Sequence, residues 1–157
     1  MIATRIPVIG SQVTATLDLM QGLAEKWHKK PFFVDLARRI VKRSKGLPAE
    51  AAAVRDWIAE HVDYRRDPIG AEWVQDPFET IVKQGAGDCD DLATVAMTLL
   101  MALGHECEAV AVQWAGRTLP SHAVCMDHSA GGIVDPCSPD SSWPPKGKTV
   151  EHLQGAL

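Results

Sequence analysis

Three side chains in this sequence could together perform nucleophilic chemistry: Cys89 in GDCDDL (87–92), His122 in SHAV (121–124) and Asp135 in IVDP (133–136). A thiolate attacks a carbonyl carbon, an imidazole takes or holds its proton, and a carboxylate orients the imidazole. Cys89 stands among Asp88, Asp90 and Asp91, whose charges oppose thiolate formation. The start of a helix works the other way, because it presents unpaired N–H groups and the positive end of the helix dipole. That dipole supplies only about 0.3–1 kcal/mol at exposed sites, less than one pKa unit. An activating base is therefore required. Asp88 and Asp91 are expected to cap the helix start, with Asp90 pointing elsewhere.

Taken singly, each residue has a commoner explanation. A cysteine at a helix start is usually packing, a lone histidine is usually a surface or core residue, and Asp before Pro usually forms a turn. The joint order carries the weight: Gly-Asp-Cys at a helix start, His at the start of a strand, Asp at the end of the next.

The surrounding elements make that order meaningful. Leu17, Met20, Leu23, Ala24 and Trp27 recur at helical spacing over Thr16–Lys29,. Pro31 opens a second helix that ends at Lys45-Gly46, and Pro48 opens a third over 48–62,. Two Asp-Pro dipeptides mark turns within 62–77, and a short helical turn follows around Phe78–Val82,. Asp88, with Asp91 three residues on, forms a capping-box pattern,. Behind it Leu92, Val95, Ala96, Leu99, Leu100 and Leu103 predict a central, buried helix that stops at Gly104,.

The period then changes from helical to two. Strands are expected over Glu106–Trp114, His122–Asp127 and Gly132–Asp135, joined by AGRTLPS and HSAGG,. If Asp127 pairs with Gly132, Val124 pairs with Asp135, and His122 then lies on the face of Asp135, one pleat diagonal away. Helices followed by an antiparallel meander make an α+β domain. The chain reads as one domain, 1–157: an N-terminal helical extension (1–47), a core (48–137) and a loop-like tail (138–157), with at most a turn of helix near 149–154.

Composition excludes several classes of function. The chain has 157 residues, a net charge of −4 and 46% hydrophobic residues, as an ordinary soluble globular protein does,. The one basic run, KWHKK (26–30) with RRIVKRSK (38–45), reads as a solvated helix face, so no nucleic-acid partner is expected,. No stretch approaches the roughly 18 apolar residues of a membrane span. The N-terminus lacks the features of a secretion signal, so the chain reads as cytoplasmic when synthesised, with reduced thiols at 89, 107, 125 and 137,.

Zinc is the rival of a different class. Cys89, His122, Cys125 and Cys137 are all zinc-compatible ligands,. There is no CxxC pair, however, and Cys125 should face away from His122 on their common strand. No metal or other cofactor is expected. Cys107 and Cys125 read as small core residues, and Cys137 as a neighbour of the site. Trp73 and Trp143, in loop-like segments, suggest a contact surface, although such residues more often cover a core edge.

The segments GDCDDLATVAMTLLMALGHECEAVAV (87–112), SHAV (121–124) and IVDP (133–136), with YRRDP (64–68) and VQDPFETI (74–81) upstream, resemble the transglutaminase-like superfamily. The core of that superfamily is a papain-like fold with a cysteine nucleophile. The resemblance implies Cys89 as nucleophile, His122 as base and Asp135 as orienting acid. It departs from many members in lacking an aromatic soon after His122 and a tryptophan before the DP segment. The Cys89 N–H is one expected oxyanion donor; Gln84, Gln75 and Asp88 are the candidate supporting side chains. The implied function is acyl transfer on a peptide or amide bond of a protein or peptide substrate, through a thioester and with hydrolysis favoured. Compact members with N-terminal helices are often encoded by bacteriophages near morphogenesis genes. A second expectation is therefore a tail or baseplate protein that keeps the fold, assembled into a virion with or without activity.

Overall fold

Residues 89–102, CDDLATVAMTLLMA, are apolar around most of the helical circumference, and such a helix is stable only when surrounded,. The computed structural model describes residues 3–6, 12–67, 72–138 and 142–156, and builds the rest of the fold around this one element. In chain order the elements are β1 (Ala3–Ile6), α1 (Val13–Trp27), α2 (Pro31–Ile40), α3 (Leu47–His61), β2 (Asp63–Tyr64) and β3 (Glu72–Gln75). A short π-helical segment, Glu79–Gln84, leads into β4 (Ala86–Gly87) and α4 (Cys89–Ala102). Then come β5 (Cys107–Trp114), β6 (His122–Asp127), β7 (Gly132–Val134) and β8 (Val150–Gly155).

Three helices and a sheet enclose α4. Leu17, Met20 and Ala24 of α1, Phe33 and Ala37 of α2, and Val54 and Ile58 of α3 form one core with Leu92, Val95, Ala96, Leu99 and Leu100 of α4. Each fully buried leucine or isoleucine in that set stabilises the fold by roughly 1.5–3 kcal/mol relative to exposure. The sheet closes the remaining side in the order β7-β6-β5-β8, with every neighbouring pair antiparallel. Its strands alternate as a sheet covered on both faces requires. Cys107, Ala109, Ala111, Ala123 and Cys125 belong to the core around α4, whereas Val110, Val112 and Val124 form a second cluster with Trp114, Ile133, Trp143 and Val150. The residues turned to α4 are small, which lets the helix lie close to the strands.

Where the β5–β8 ladder stops short of Cys107, a side chain of α1 continues it. The Gln21 amide donates to the Cys107 carbonyl at 3.1 Å and accepts from the Ala109 N–H at 3.0 Å. The helical layer is thereby fixed in register with the strands.

The hairpin register is the one expected, with Asp127 opposite Gly132, Met126 opposite Ile133 and Cys125 opposite Val134. Two expectations need correction. The tail is neither loop-like throughout nor helical near 149–154, because 150–155 forms β8 along β5. The second helix ends at Ile40 rather than at Lys45-Gly46. Two small pairings went unforeseen: β1 with β3, antiparallel, and β2 with β4, parallel, which sets Tyr64 opposite Gly87. No helix among the described residues is long and apolar enough to cross a membrane.

Candidate active site

Cys89 is the first residue of α4, and its position is fixed by what precedes it. Asp88 is the N-cap: it accepts from the Asp91 N–H at 3.5 Å, while the Asp91 carboxylate accepts from the Asp88 N–H at 3.1 Å, a complete capping box,. A Cβ at position 87 would lie 2.6 Å from the Cβ of Asp91, so only glycine lets the chain pass this close to the cap. Gln75 braces the same carboxylate from β3. Its backbone N–H donates to Asp91 Oδ1 at 2.8 Å, and its amide to Asp91 Oδ2 at 3.2 Å and to the Ala86 carbonyl at 3.1 Å.

His122 opens β6 and Asp135 follows β7, on the same face of the hairpin. His122 Nε2 lies 2.7 Å from Asp135 Oδ2, and the carboxylate is buried at 2% exposure. The Cys137 N–H donates to the other oxygen at 3.0 Å, and the Trp143 indole N–H donates to Oδ2 at 3.4 Å. With both oxygens accepting, Asp135 is satisfied as a carboxylate. Donation from Nε2–H then leaves Nδ1 as the basic nitrogen of His122. Trp114 stacks on the imidazole, with centroids 5.8 Å apart and 25° between planes, and Trp143 lies against Trp114 at 6.0 Å. The Cys89 sulfur accepts from the N–H of Ala123, the residue after His122. The start of α4 thus reaches the start of β6, which sets the Cys89 sulfur against the backbone of the residue after His122.

The electrostatics differ from expectation at one residue. Asp90 does not point away; the Cys89 thiol donates to its Oδ1 at 3.5 Å. Burial, then Asp90 and Asp88, push the thiol well above its ordinary value, and the Ala123 N–H offsets only part of this. Cys89 therefore rests as a neutral thiol. Asp88 is itself pushed far up, first by burial and then by Asp91 and Asp90, and shares a hydrogen bond with Asp67. Burial also raises Asp91, against the hydrogen bonds from Gln75 and Asp88.

The remaining candidates separate clearly. Gln75 is occupied by Asp91, Ala86 and, at 3.4 Å, Thr80. Gln84 is exposed, and its amide is taken by Glu79 at 2.9 Å and Arg65 at 3.1 Å. The four zinc-compatible side chains do not converge, because Cys125 is fully buried in the core around α4, hydrogen-bonded to Cys107. The four cysteines are free thiols. Among the described residues, the one carboxylate group with cation-sized spacing is Asp67, Asp88 and Asp91, within 4.8 Å of one another. Asp88 and Asp91 already serve the helix cap. Trp143 is not part of a free contact surface, since it covers Asp135; the side chain of Trp73 lies outside the described residues. The placement of Tyr64, Trp114 and Trp143 at the site escaped the sequence reading. The pairing opposite Gly87 sets Tyr64 near the start of α4, the end of β5 brings Trp114 onto His122, and the path of the tail brings Trp143 to Asp135.

No curated protein matches the sequence. Two solved structures are similar to it, and the first shares its fold. One, a provisionally assigned protease from Parabacteroides distasonis, has a TM-score of 0.56 and 15% identity over 76% of this chain. The other, a provisionally assigned cysteine protease from Cytophaga hutchinsonii, has a TM-score of 0.49 and 16% identity over 98% of this chain. The chain spans only 25% of the first and 61% of the second. A family model described as the transglutaminase-like superfamily matches residues 34–143, and the chain belongs to that superfamily.

Proposed function

We propose that the chain transfers acyl groups through Cys89, cleaving a peptide or amide bond by way of a thioester. The supporting observation is the 2.7 Å His122–Asp135 pair beside a sulfur that accepts from the Ala123 N–H. Cys89 rests as a thiol, so its proton must leave as attack proceeds. His122 Nδ1 takes it and Asp135 stabilises the resulting imidazolium. The same proton then goes to the leaving amine, which departs as the carbonyl re-forms and leaves an acyl group on sulfur. Water, deprotonated by His122, attacks the thioester, releases the acid and restores the thiol.

Hydrolysis is favoured over crosslinking because a structure of the same fold is described as a protease. No feature of the described residues favours a virion assembly role. The test is incubation with a mixed peptide library, with and without a primary amine, read by mass spectrometry. Cleavage products that vanish in Cys89→Ala support hydrolysis, and amine-bearing products support crosslinking. Products that persist in Cys89→Ala, or no products at all, would refute the proposal.

A further inference from the structure

A tetrahedral intermediate at Cys89 needs donors for its oxyanion. The backbone supplies one, since the N–H at the first position of α4 has no partner within the helix,. Neither amide expected to supply a second is free to do so: Gln75 is locked on Asp91 and the Ala86 carbonyl, and Gln84 on Glu79 and Arg65.

Tyr64 is differently placed. The β2–β4 pairing sets it opposite Gly87, two residues before the nucleophile, and the Arg65 N–H donates to the Gly87 carbonyl at 2.8 Å. The ring is 54% exposed. Its oxygen accepts from the Arg66 side chain, which leaves the O–H hydrogen free to donate elsewhere,.

We propose that the Tyr64 hydroxyl is the side-chain donor for the oxyanion formed at Cys89, completing the pair begun by the Cys89 N–H. Burial, then Cys89, push the phenol above its ordinary value, so it stays a donor over the working pH range. The Arg66 hydrogen bond polarises that O–H and strengthens it as a donor,. The assignment rests on the acyl-transfer reading and adds a residue to it.

Two reactions of the same thiol separate the possibilities. p-Nitrophenyl acetate acylates Cys89 through a tetrahedral oxyanion; iodoacetamide alkylates it by displacement and forms none. Tyr64→Phe should slow acylation about 10- to 100-fold, with KM little changed. Its alkylation rate should stay within about twofold of wild type, because no oxyanion donor takes part in displacement. Gln84→Ala should change neither rate. Unchanged acylation in Tyr64→Phe, or equal loss of both reactions, would overturn the assignment; equal loss would mean that the phenol acts on the thiol. A wild-type chain that alkylates at Cys89 but is never acylated there would overturn the acyl-transfer reading and this assignment together.

Discussion

Two aspartates of the β6–β7 hairpin each hold an imidazole, and the two pairs are used in opposite ways. Asp135 holds His122 at 2.7 Å through one ring nitrogen only. At the far end of the hairpin, Asp127 holds His105 Nδ1 at 2.6 Å, and Glu50 of α3 holds the other nitrogen at 3.0 Å. The His105 side chain is fully buried, whereas His122 retains some exposure. An imidazole bound by carboxylates on both sides has no lone pair to offer and is driven to the charged form. Burial pushes His105 down, but the hydrogen bonds to Glu50 and Asp127 outweigh it and its pKa rises. It pins α3 to the strand that carries His122. Asp127 also accepts from the Ala130 N–H at 3.0 Å, which shapes the turn that sets the hairpin register. The same chemical pair leaves one nitrogen open at His122, as the proposed base requires, and takes both at His105, where it acts as a rivet.

The largest expected effect separates the pairs by activity. His122→Ala should lower the rate of acyl transfer about 10³- to 10⁴-fold, as loss of a triad member does. His105→Ala should leave the rate per folded molecule near wild type, measured well below its melting temperature. A loss of activity in His105→Ala that is not explained by unfolding would break the distinction.

Stability should show the reverse order. His105→Ala strands two carboxylates, one of them fully buried, and should cost about 3–5 kcal/mol in urea denaturation,. His122→Ala should cost less, because the Cys137 and Trp143 N–H groups stay on Asp135.

The pH dependence follows from the sign of the His105 shift. Its folded pKa lies above the ordinary 6.5, so its contribution is complete below that value and is lost as pH rises through the folded pKa,. Melting temperature against pH should therefore fall on the alkaline side in wild type, and that fall should be shallower in His105→Ala.

The smallest effect concerns the other end of α4. Asp88 is raised from 3.8 to about 10, so its contribution is complete below about 4 and drains away as pH climbs toward 10,. Asp88→Asn keeps a capping oxygen and cannot ionise; it should match or exceed wild-type stability at alkaline pH. Asp88→Ala should lose about 1 kcal/mol, the ordinary value of an N-cap. Equal losses in the two variants would show that Asp88 is ionised in the folded protein.

The sequence made some of this legible because local rules govern it. The capping box, the close approach at Gly87 and the hairpin register each depend on neighbouring residues and a fixed period. β8 was illegible because an edge strand of residues Val-Glu-His-Leu-Gln-Gly, exposed along most of its length, shows no apolar alternation. The rotamer of Asp90 depends on the thiol beside it, which helical spacing does not encode. The His105 rivet joins residues 22 and 55 positions apart. Trp143 reaches Asp135 by the path of the tail. The two glutamines were placed by sequence distance from Cys89, whereas Asp91 and Glu79 decide where their amides point.

The central claim is that Cys89 rests as a thiol and that His122 removes its proton as it attacks. The most direct test is the rate of Cys89 acylation by p-nitrophenyl acetate against pH, for wild type and His122→Ala, with the acylated residue identified by mass spectrometry. The account predicts that wild type acylates at neutral pH, whereas His122→Ala does so only as alkaline pH ionises the thiol directly. Equal rates for the two proteins at neutral pH would contradict it.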